Sequence, residues 1–197
     1  MILIFDLSGV VFNKGLKIAV EKICKDNNLE KEDVKFVLNG SFSHDYRTGK
    51  IKTKEFWIKA KEHWKHRDIE SIKNIFFESY TLQNDIVEFI KKIKSKGIKI
   101  GYLSNGPKDR TEYLDKKFGF ISIFDFGLFS FEANSIKPEK EIFEKLINKQ
   151  KIDPKDSIYI DDKESNLLPA KELGMKIIHF ININQLKDEL AKLKIEV

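Results

Sequence analysis

The sequence predicts an α/β protein built on a doubly wound parallel sheet, with an all-helical segment inserted after the first strand. Three observations predict it. Short apolar runs alternate with helical patterns, two of these runs end in aspartates, and one long interval contains helical patterns only. Buried parallel strands are continuous apolar runs, and helices connect them. In such sheets the reactive groups gather at the carboxyl ends of the strands.

Five short apolar runs have the character of strands. They are rich in isoleucine, leucine and phenylalanine, and polar or turn residues bound them. The first ends in Asp6 and the fourth in Asp161, so both acids lie where a strand stops. The predicted strands are Ile2–Phe5, Ile98–Leu103, Phe124–Phe129, Ile158–Ile160 and Lys176–Phe180.

Helical patterns separate the later strands. Residues Asn84–Lys96 place their apolar side chains on one face, and Gly97 ends the pattern. Pro138 begins another helix, because proline is favoured at the first helical position. Two further patterns, Asn166–Leu173 and Gln185–Leu193, complete the alternation of strands and helices.

The interval Lys14–Tyr80 shows only helical periodicity. A crossover between parallel strands needs roughly a dozen residues and one helix, so this interval is far longer than a crossover. We therefore expect a helical cap over residues 14–80, and a core domain formed by residues 1–13 and 81–197. The predicted cap helices are Leu16–Cys24, Lys31–Leu38, Lys54–Trp64 and Ile69–Phe77.

The charge distribution excludes one class of partner. Basic residues number 36, but only Arg47, Arg67 and Arg110 are arginine, and lysines spread along a whole chain are typical of a solvated surface. Between Lys14 and Tyr80 there are 15 basic and 11 acidic residues, which suits a small anionic substrate. No basic stripe carries interleaved aromatic residues, so we expect no nucleic-acid binding.

The single cysteine, Cys24, excludes an internal disulfide and fits a reducing compartment. It lies within an apolar helical pattern, so we expect a core residue. The opening apolar run is short, has no basic start and contains Asp6, unlike a signal peptide. No apolar stretch approaches the ~20 residues of a membrane span. We therefore expect a cytoplasmic protein without membrane association; the oligomeric state is not predicted.

Polar residues follow three of the predicted strands. Asp161 and Asp162 come after the fourth strand, and because adjacent acids repel, a cation explains their placement. Each group alone is also compatible with a turn or a helix cap. Their occurrence at several strand ends favours a common site. The candidates after the second strand, which offer a hydroxyl, an amide and open backbone N–H groups to an anion, are Ser104, Asn105 and Gly106.

Several isolated residues invite a functional interpretation. Lys137 lies just before a proline-started helix, where it could balance a phosphate or the carboxylates, although a surface lysine is commoner. Arg47, in a loop between cap helices, is a candidate for substrate binding, and a surface salt bridge is equally compatible. His63 and His66 lack a third metal ligand and are interpreted as a solvated helix end, and His179 as structural.

Taken in order, these residues resemble the motifs of the haloacid dehalogenase-like superfamily. The resemblance covers the whole chain and implies a Rossmann-like core with a helical cap between the first and second motifs, where residues 14–80 lie. The segments that carry it are Ile4–Val11, Leu103–Asn105, Ile136–Pro138 and Tyr159–Asn166.

The resemblance implies a Mg²⁺-dependent phosphohydrolase of a small phosphorylated metabolite, such as a sugar phosphate, with an aspartyl-phosphate formed on Asp6. Ser104 and Lys137 would hold the transferring phosphoryl group. Magnesium and lysine would neutralise the charge that otherwise repels a carboxylate from a phosphate. The implied Mg²⁺ ligands are the carboxylates of Asp6 and Asp162, the backbone carbonyl of Ser8, and Asp161 in support.

Ser8 departs from the family pattern. Phosphatases of the family typically have a second aspartate there as general acid and base, which is typically worth ~10²–10⁴ in rate. A subset that includes sugar-phosphate phosphatases also has a small residue there, and the segment His44–Trp57 looks like that subset. The alternative is a catalytically weak or inert member that binds a phosphorylated ligand or a protein partner. Two other activities of the superfamily are disfavoured. A phosphomutase relies on the aspartate that Ser8 replaces, and true dehalogenases lack the acidic fourth motif that this chain has.

Overall fold

A parallel sheet forms the centre of the computed structural model, which describes residues 1–65 and 67–195. Its strands are β1 (Ile2–Phe5), β2 (Lys99–Ser104), β3 (Phe126–Phe129), β4 (Ser157–Asp161) and β5 (Lys176–His179). Within the described residues they form one sheet in the order β3-β2-β1-β4-β5, and every pair is parallel. The predicted α/β class is therefore confirmed.

Helices connect successive strands of the sheet, and one more helix follows β5. Those between β1 and β2 are α1 (Gly15–Asn27), α2 (Lys31–Asn39), α3 (His44–Arg47), α4 (Thr53–His63), α5 (Ile69–Glu78) and α6 (Asn84–Ser95). The later helices are α7 (Lys108–Phe118), α8 (Ser130–Ala133), α9 (Lys140–Gln150), α10 (Glu164–Glu172) and α11 (Ile183–Lys192). No helix among the described residues is long and apolar enough to span a bilayer.

Strand β3 begins at Phe126 and not at Phe124, because a 3₁₀ turn, Phe120–Ile123, precedes it. Asp125 fixes the start of the strand: its N–H donates to the Ile100 carbonyl, and its carboxylate accepts the Ile100 N–H, each at 2.8 Å. The other predicted strands differ from the observed ones by at most one residue at either end.

Helix α9 begins at Lys140, so the prediction that Pro138 opens this helix is wrong. The Glu139 N–H donates to the Ile136 carbonyl at 2.8 Å, which closes a separate turn. The Glu139 carboxylate also accepts from the Ile136 N–H at 3.0 Å and from the Ser135 hydroxyl at 2.6 Å. These hydrogen bonds stabilise a separate turn at residues 135–139, so the helix begins only after it.

Three helices are absent from the sequence prediction. Helices α3 and α8 have four residues each, too few for an apolar periodicity. Helix α7 has no apolar stripe, since its buried residues are Arg110, Thr111 and Leu114. Arg47 is the last residue of α3, so its predicted position in a loop is wrong.

An aromatic cluster joins the helices of the predicted cap. The Tyr46 and Phe56 rings stack with centroids 3.8 Å apart, and Trp57 packs against Phe56 edge-on at 4.9 Å. Helix α1 contacts α2 and α5, whereas α6 contacts β2. The helices α1–α5 thus pack together beside the sheet, and the exact boundaries of cap and core stay a prediction.

The remaining sequence predictions concern cysteine and histidine. Cys24 is half-buried and packs against the apolar core. The His63 ring lies 2.7 Å from an Asp33 carboxylate oxygen, while His66 lies outside the described residues. His179, at the end of β5, is exposed.

The position of β1 between β2 and β4 creates the site. In the sheet register Phe5 pairs with Tyr102 on one side and with Ile160 on the other. The Asp6 N–H then donates to the Ile160 carbonyl at 2.8 Å. Asp6 and Asp161 therefore leave the sheet side by side, at its carboxyl edge.

Candidate active site

Three carboxylates meet where β1 and β4 end. Asp6, Asp161 and Asp162 each bring an oxygen to within 4.8 Å of the others. Asp6 is 5% exposed and Asp161 is fully buried. Burying three like charges is unfavourable without cations, so the cluster needs a positive partner.

Lys137 supplies a positive charge from the opposite loop. Its Nζ donates to Asp6 Oδ1 at 2.7 Å and to Asp161 Oδ2 at 2.8 Å. It also donates to the Leu103 carbonyl at 3.0 Å and to the Tyr159 hydroxyl at 2.8 Å. Because this ammonium group is buried and surrounded by acceptors, its position is fixed before any ligand binds.

The same charges set the ionisation of the carboxyl groups. Burial raises the pKa of Asp6 to about 7, since the lowering effect of Lys137 is only partial and the charge of Asp161 opposes it. Burial also acts on Asp161, but the charge and hydrogen bond of Lys137 outweigh it, so the pKa of Asp161 is lowered. Burial likewise opposes the charged form of Lys137, and both carboxylates overcome it and raise the pKa.

Asp161 is saturated with hydrogen bonds. Its Oδ1 accepts from the Lys163 N–H at 2.9 Å and from Asn166 Nδ2 at 3.1 Å. Its Oδ2 accepts from Lys137, the Tyr159 hydroxyl and Asn166. Asp161 therefore acts mainly as an anchor that orients its neighbours.

Asp162 differs, because one of its oxygens is unused. Its Oδ1 is buried and has no hydrogen-bond partner among the described residues. Its Oδ2 lies 3.3 Å from Nζ of the exposed Lys14. Gly9, whose φ is +99°, makes room for this side chain: a Cβ there would lie 2.4 Å from Asp162 Oδ2. Asp162 Oδ1 is thus a buried carboxylate oxygen that accepts no hydrogen bond from the described residues.

These oxygen donors fit a hard divalent cation such as Mg²⁺. The orphaned Asp162 Oδ1 is the observation that supports the fit, because a bound cation would satisfy it. Asp6 and Asp162 are the carboxylates that could hold the ion, and the Ser8 carbonyl is the third group of the predicted set. Asp161 would support them through Lys137 and Asn166.

A cleft of about 460 Å³ lies over the carboxylates and beneath the cap. Its volume is in the range of small-molecule sites, ~300–1,000 Å³. Its walls include residues of the predicted cap and residues of the helices α7 and α10. The predicted site residues that line it are Asp6, Ser8, Arg47, Asn105, Lys137 and Asp162.

Ser104 and Gly106 lie apart from this lining. Ser104 is buried at the end of β2, against a small cavity of about 20 Å³ that Ser8 and Arg110 also line. The Gly106 N–H donates to the Ser130 hydroxyl at 3.2 Å, so the open N–H expected for an anion at Gly106 is already used. The phosphoryl-binding role of Ser104 stays a prediction.

Several residues of the site are missing from the prediction. Tyr159 is buried within β4 and reaches Lys137, and nothing in an apolar strand pattern distinguishes it. Asn166, the last residue of the segment Tyr159–Asn166 that carries the resemblance, lies on the first turn of α10, and the sequence prediction gives it no role. Arg110 and Tyr80 line the cleft, yet they lie in segments without any motif.

Solved structures of one bacterial enzyme have a similar fold. A solved structure of an enzyme from Bacteroides thetaiotaomicron, described as of the HAD family, is 25% identical, with a TM-score of 0.76, and the match covers 90% of this chain and 91% of that chain. A structure of the same enzyme that contains magnesium and inorganic phosphate is 24% identical, with a TM-score of 0.74.

Two curated relatives are named as a phosphatase and as a nucleotide hydrolase. A phosphorylated carbohydrates phosphatase of Thermotoga maritima is 24% identical over 68% of this chain and 61% of its own length. Flavin mononucleotide hydrolase 1 of Arabidopsis thaliana is 25% identical over 66% of this chain and 53% of its own length. This chain thus spans little more than half of these relatives.

The family model described as haloacid dehalogenase-like hydrolase matches residues 3–180. The match includes Asp6 after β1, the helical insertion, the loop with Lys137 and the acidic pair at the end of β4. Because it spans most of the sequence and agrees with the fold, this chain belongs to the haloacid dehalogenase-like hydrolases.

Proposed function

We propose that this chain is a Mg²⁺-dependent phosphohydrolase that acts on a small phosphorylated metabolite, with sugar phosphates as the leading class, through an aspartyl-phosphate on Asp6. The observation that carries the proposal is the cluster of Asp6, Lys137 and Asp162: a carboxylate beside a buried ammonium group and a carboxylate oxygen that lacks a donor. The carbohydrate phosphatase relative and the phosphate-bound HAD structure support the same chemistry.

The first step transfers the phosphoryl group to the protein. One oxygen of Asp6 attacks phosphorus, the new O–P bond forms, and the bond from phosphorus to the ester oxygen breaks. Lys137 already donates to Asp6 Oδ1, so its charge offsets the repulsion between this carboxylate and the incoming phosphate. When bound by Asp6 and Asp162, Mg²⁺ would supply further positive charge for the phosphoryl oxygens.

The second step restores the carboxylate. The alkoxide that leaves in the first step takes a proton from water and leaves hydroxide, because Ser8 lines the cleft where a stronger acid would otherwise stand. A second water then attacks phosphorus of the aspartyl-phosphate and gives its proton to that hydroxide. The bond from phosphorus to the Asp6 oxygen breaks, inorganic phosphate leaves, and Asp6 regains its charge. We therefore expect substrates with good leaving groups to be favoured.

A test of the proposal measures phosphate release from a panel of phosphate esters, with Mg²⁺ and with a chelator. Asp6→Asn should lower the rate at least ~1,000-fold, since it removes the nucleophile. Asp26→Asn, at an exposed aspartate of α1, is the matched control and should leave the rate unchanged. Equal activity of Asp6→Asn and the unmodified chain would remove the assignment.

Ser8 favours a second candidate, a weak or inert member that binds a phosphorylated ligand or a protein partner. Ser8→Asp places a carboxyl group in the cleft, where it could act as the general acid. A rise from no detectable turnover to clear turnover in this variant would favour the binding role. If the unmodified chain already turns over efficiently and Ser8→Asp brings no clear gain in rate, the binding role is excluded.

A further inference from the structure

Two guanidinium groups line the cleft, and neither forms a salt bridge with an acidic side chain of the described residues. Arg47 reaches it from the cap and Arg110 from α7. Within the described residues both donate only to neutral acceptors, and the Nε of each is buried without a hydrogen-bond partner. Arg110 is buried and Arg47 half-buried, and a cation in such a position without a negative partner is unfavourable, so the two guanidinium groups indicate an anionic ligand in the cleft.

Arg110 is held in place by aromatic rings. Its guanidinium lies 4.4 Å from the centroid of the Tyr80 ring and 5.1 Å from that of Phe76. One amino group donates to the Tyr80 hydroxyl at 2.6 Å, and the other to the Asn105 carbonyl at 3.4 Å. Arg110 is only 8% exposed, so this cation is buried and oriented before a ligand binds.

Arg47 is held by cap residues. Its amino groups donate to Asn39 Oδ1 at 3.1 Å and to the Gly40 carbonyl at 3.2 Å. Burial, followed by the charge of Arg110, lowers the pKa of Arg47 to about 10. The two arginines are therefore close enough to repel each other, and an anion between them would relieve that repulsion.

The arginines and the carboxylates enter the cleft from different elements of the fold. Arg47 belongs to α3 and Arg110 to α7, whereas Asp6, Asp161 and Asp162 lie at the ends of β1 and β4. The cleft of about 460 Å³ has room for more than one phosphoryl group, and it includes both the carboxylates and the arginines. A substrate that fills the cleft thus meets two different cationic positions.

We infer that Arg47 and Arg110 form a second oxyanion subsite, and that the substrate is a phosphate monoester carrying another anionic group, either a carboxylate or a second phosphate. Guanidinium groups bind both oxyanions through paired N–H donors. The inference rests on the proposed function for the reacting phosphoryl group. Because Arg47 belongs to the cap and Arg110 to α7, the ligand would also join cap and core.

The test compares esters that differ only in the second anion. One pair is 3-phosphoglycerate and glycerol 3-phosphate, which tests a carboxylate. The other is fructose 1,6-bisphosphate and fructose 6-phosphate, which tests a phosphate. In at least one pair, kcat/KM for the doubly anionic ester should exceed that for its partner at least about tenfold.

The variants Arg47→Gln and Arg110→Gln should each lower this ratio at least about tenfold. Arg67→Gln, at the exposed third arginine, is the matched control and should keep the ratio. Arg110→Lys keeps the charge if Arg110→Gln fails to fold, and it should lower the ratio less. A ratio near one in both pairs, or equal losses for both members of a pair in the arginine variants, would overturn the subsite.

Equilibrium binding separates this inference from the proposed function. Titration of the same four esters into the Asp6→Asn protein with Mg²⁺ measures the subsite without turnover. Arginine-dependent preference for the doubly anionic esters, combined with no hydrolysis by the unmodified chain, would support the subsite and contradict the phosphohydrolase. Hydrolysis by the unmodified chain without any preference for the doubly anionic esters would support the phosphohydrolase and contradict the subsite.

Discussion

The amide of Asn105 and the backbone of Lys137 bind each other through two hydrogen bonds. The Lys137 N–H donates to Asn105 Oδ1, and Asn105 Nδ2 donates to the Lys137 carbonyl, each at 2.9 Å. This pair ties the end of β2 to the loop that carries the ammonium group. Asn105, predicted to bind substrate, thus also positions the lysine that holds Asp6 and Asp161.

Asn105→Asp should disrupt that pair with almost no change of shape. A carboxylate can still accept the Lys137 N–H, but its second oxygen faces the Lys137 carbonyl, where a donor was. We expect a loss of about 1–3 kcal/mol in unfolding free energy. Urea denaturation measures the loss, and Asn182→Asp, at the N-cap of α11, is the control in which the side chain only accepts. Equal stability of the two variants would contradict the positioning role.

Lys137→Met should destabilise the Mg²⁺-free protein by about 3–5 kcal/mol, because it leaves Asp6 and Asp161 as buried charges without a partner. Added Mg²⁺ should recover part of the loss, since the cation can replace the missing charge. Thermal unfolding with and without Mg²⁺ checks both statements. Lys192→Met, which breaks the exposed pair with Glu189, should leave the midpoint unchanged.

Gly9→Ala and Gly97→Ala form a matched pair. Both glycines have positive φ, +99° and +82°, so each alanine should cost about 1–2 kcal/mol. Only at Gly9 does the new Cβ meet another group, 2.4 Å from Asp162 Oδ2, whereas nothing lies within 4 Å of it at Gly97. We expect Gly9→Ala alone to weaken Mg²⁺ binding, by at least about tenfold in a calorimetric titration. Equal Mg²⁺ affinity in both variants would exclude Asp162 as a ligand.

The stability of the Mg²⁺-free protein should depend on the ionisation of Asp6. Burial raises the pKa of Asp6 from 3.8 to about 7, so the folded state holds this proton more tightly than the unfolded chain does. The resulting stability is fully present below pH 3.8 and is lost as the pH rises through 7. Asp6→Asn removes this dependence.

We therefore expect the unfolding free energy of Asp6→Asn, relative to the unmodified chain, to rise by roughly 2–4 kcal/mol between pH 4 and pH 8. Guanidinium denaturation at several pH values, in the presence of a chelator, measures the difference. Asp26→Asn serves as the control. A difference that stays constant with pH would show that Asp6 ionises as an ordinary carboxyl group.

Asp109 links the cap to α7. Its carboxylate accepts the Trp57 Nε1–H at 2.9 Å and the Tyr46 hydroxyl. Asp109→Ala leaves both buried donors without a partner, which should cost about 2–4 kcal/mol. Amide hydrogen exchange should then rise in α3 and α4 more than in β1. Lys108→Ala, at the exposed neighbour, should change neither measurement.

Local patterns predicted most strands well because burial on both faces demands uninterrupted apolar residues. The start of β3 was missed, since Phe124 is as apolar as the strand but belongs to the residues after a 3₁₀ turn. Helix α7 was missed for the opposite reason. Its buried Arg110 is a residue that normally marks a solvated face, and its burial depends on stacking against Phe76 and Tyr80 and on hydrogen bonds to the Tyr80 hydroxyl and the Asn105 carbonyl.

The amino-acid sequence alone determined the fold class, the helical insertion and the family, because apolar periodicity and strand-end acids are local properties. The sequence also identified Asp6, Asp161 and Asp162 as candidate site residues, but their separation along the chain does not give the distance between them in the folded protein. Tertiary structure decided the rest. The pairing of β1 with β4 brings these acids to within 4.8 Å, and the packing of α5 and α7 turns Arg110 toward the cleft. Such contacts depend on strand order and helix packing, which join residues far apart in the chain.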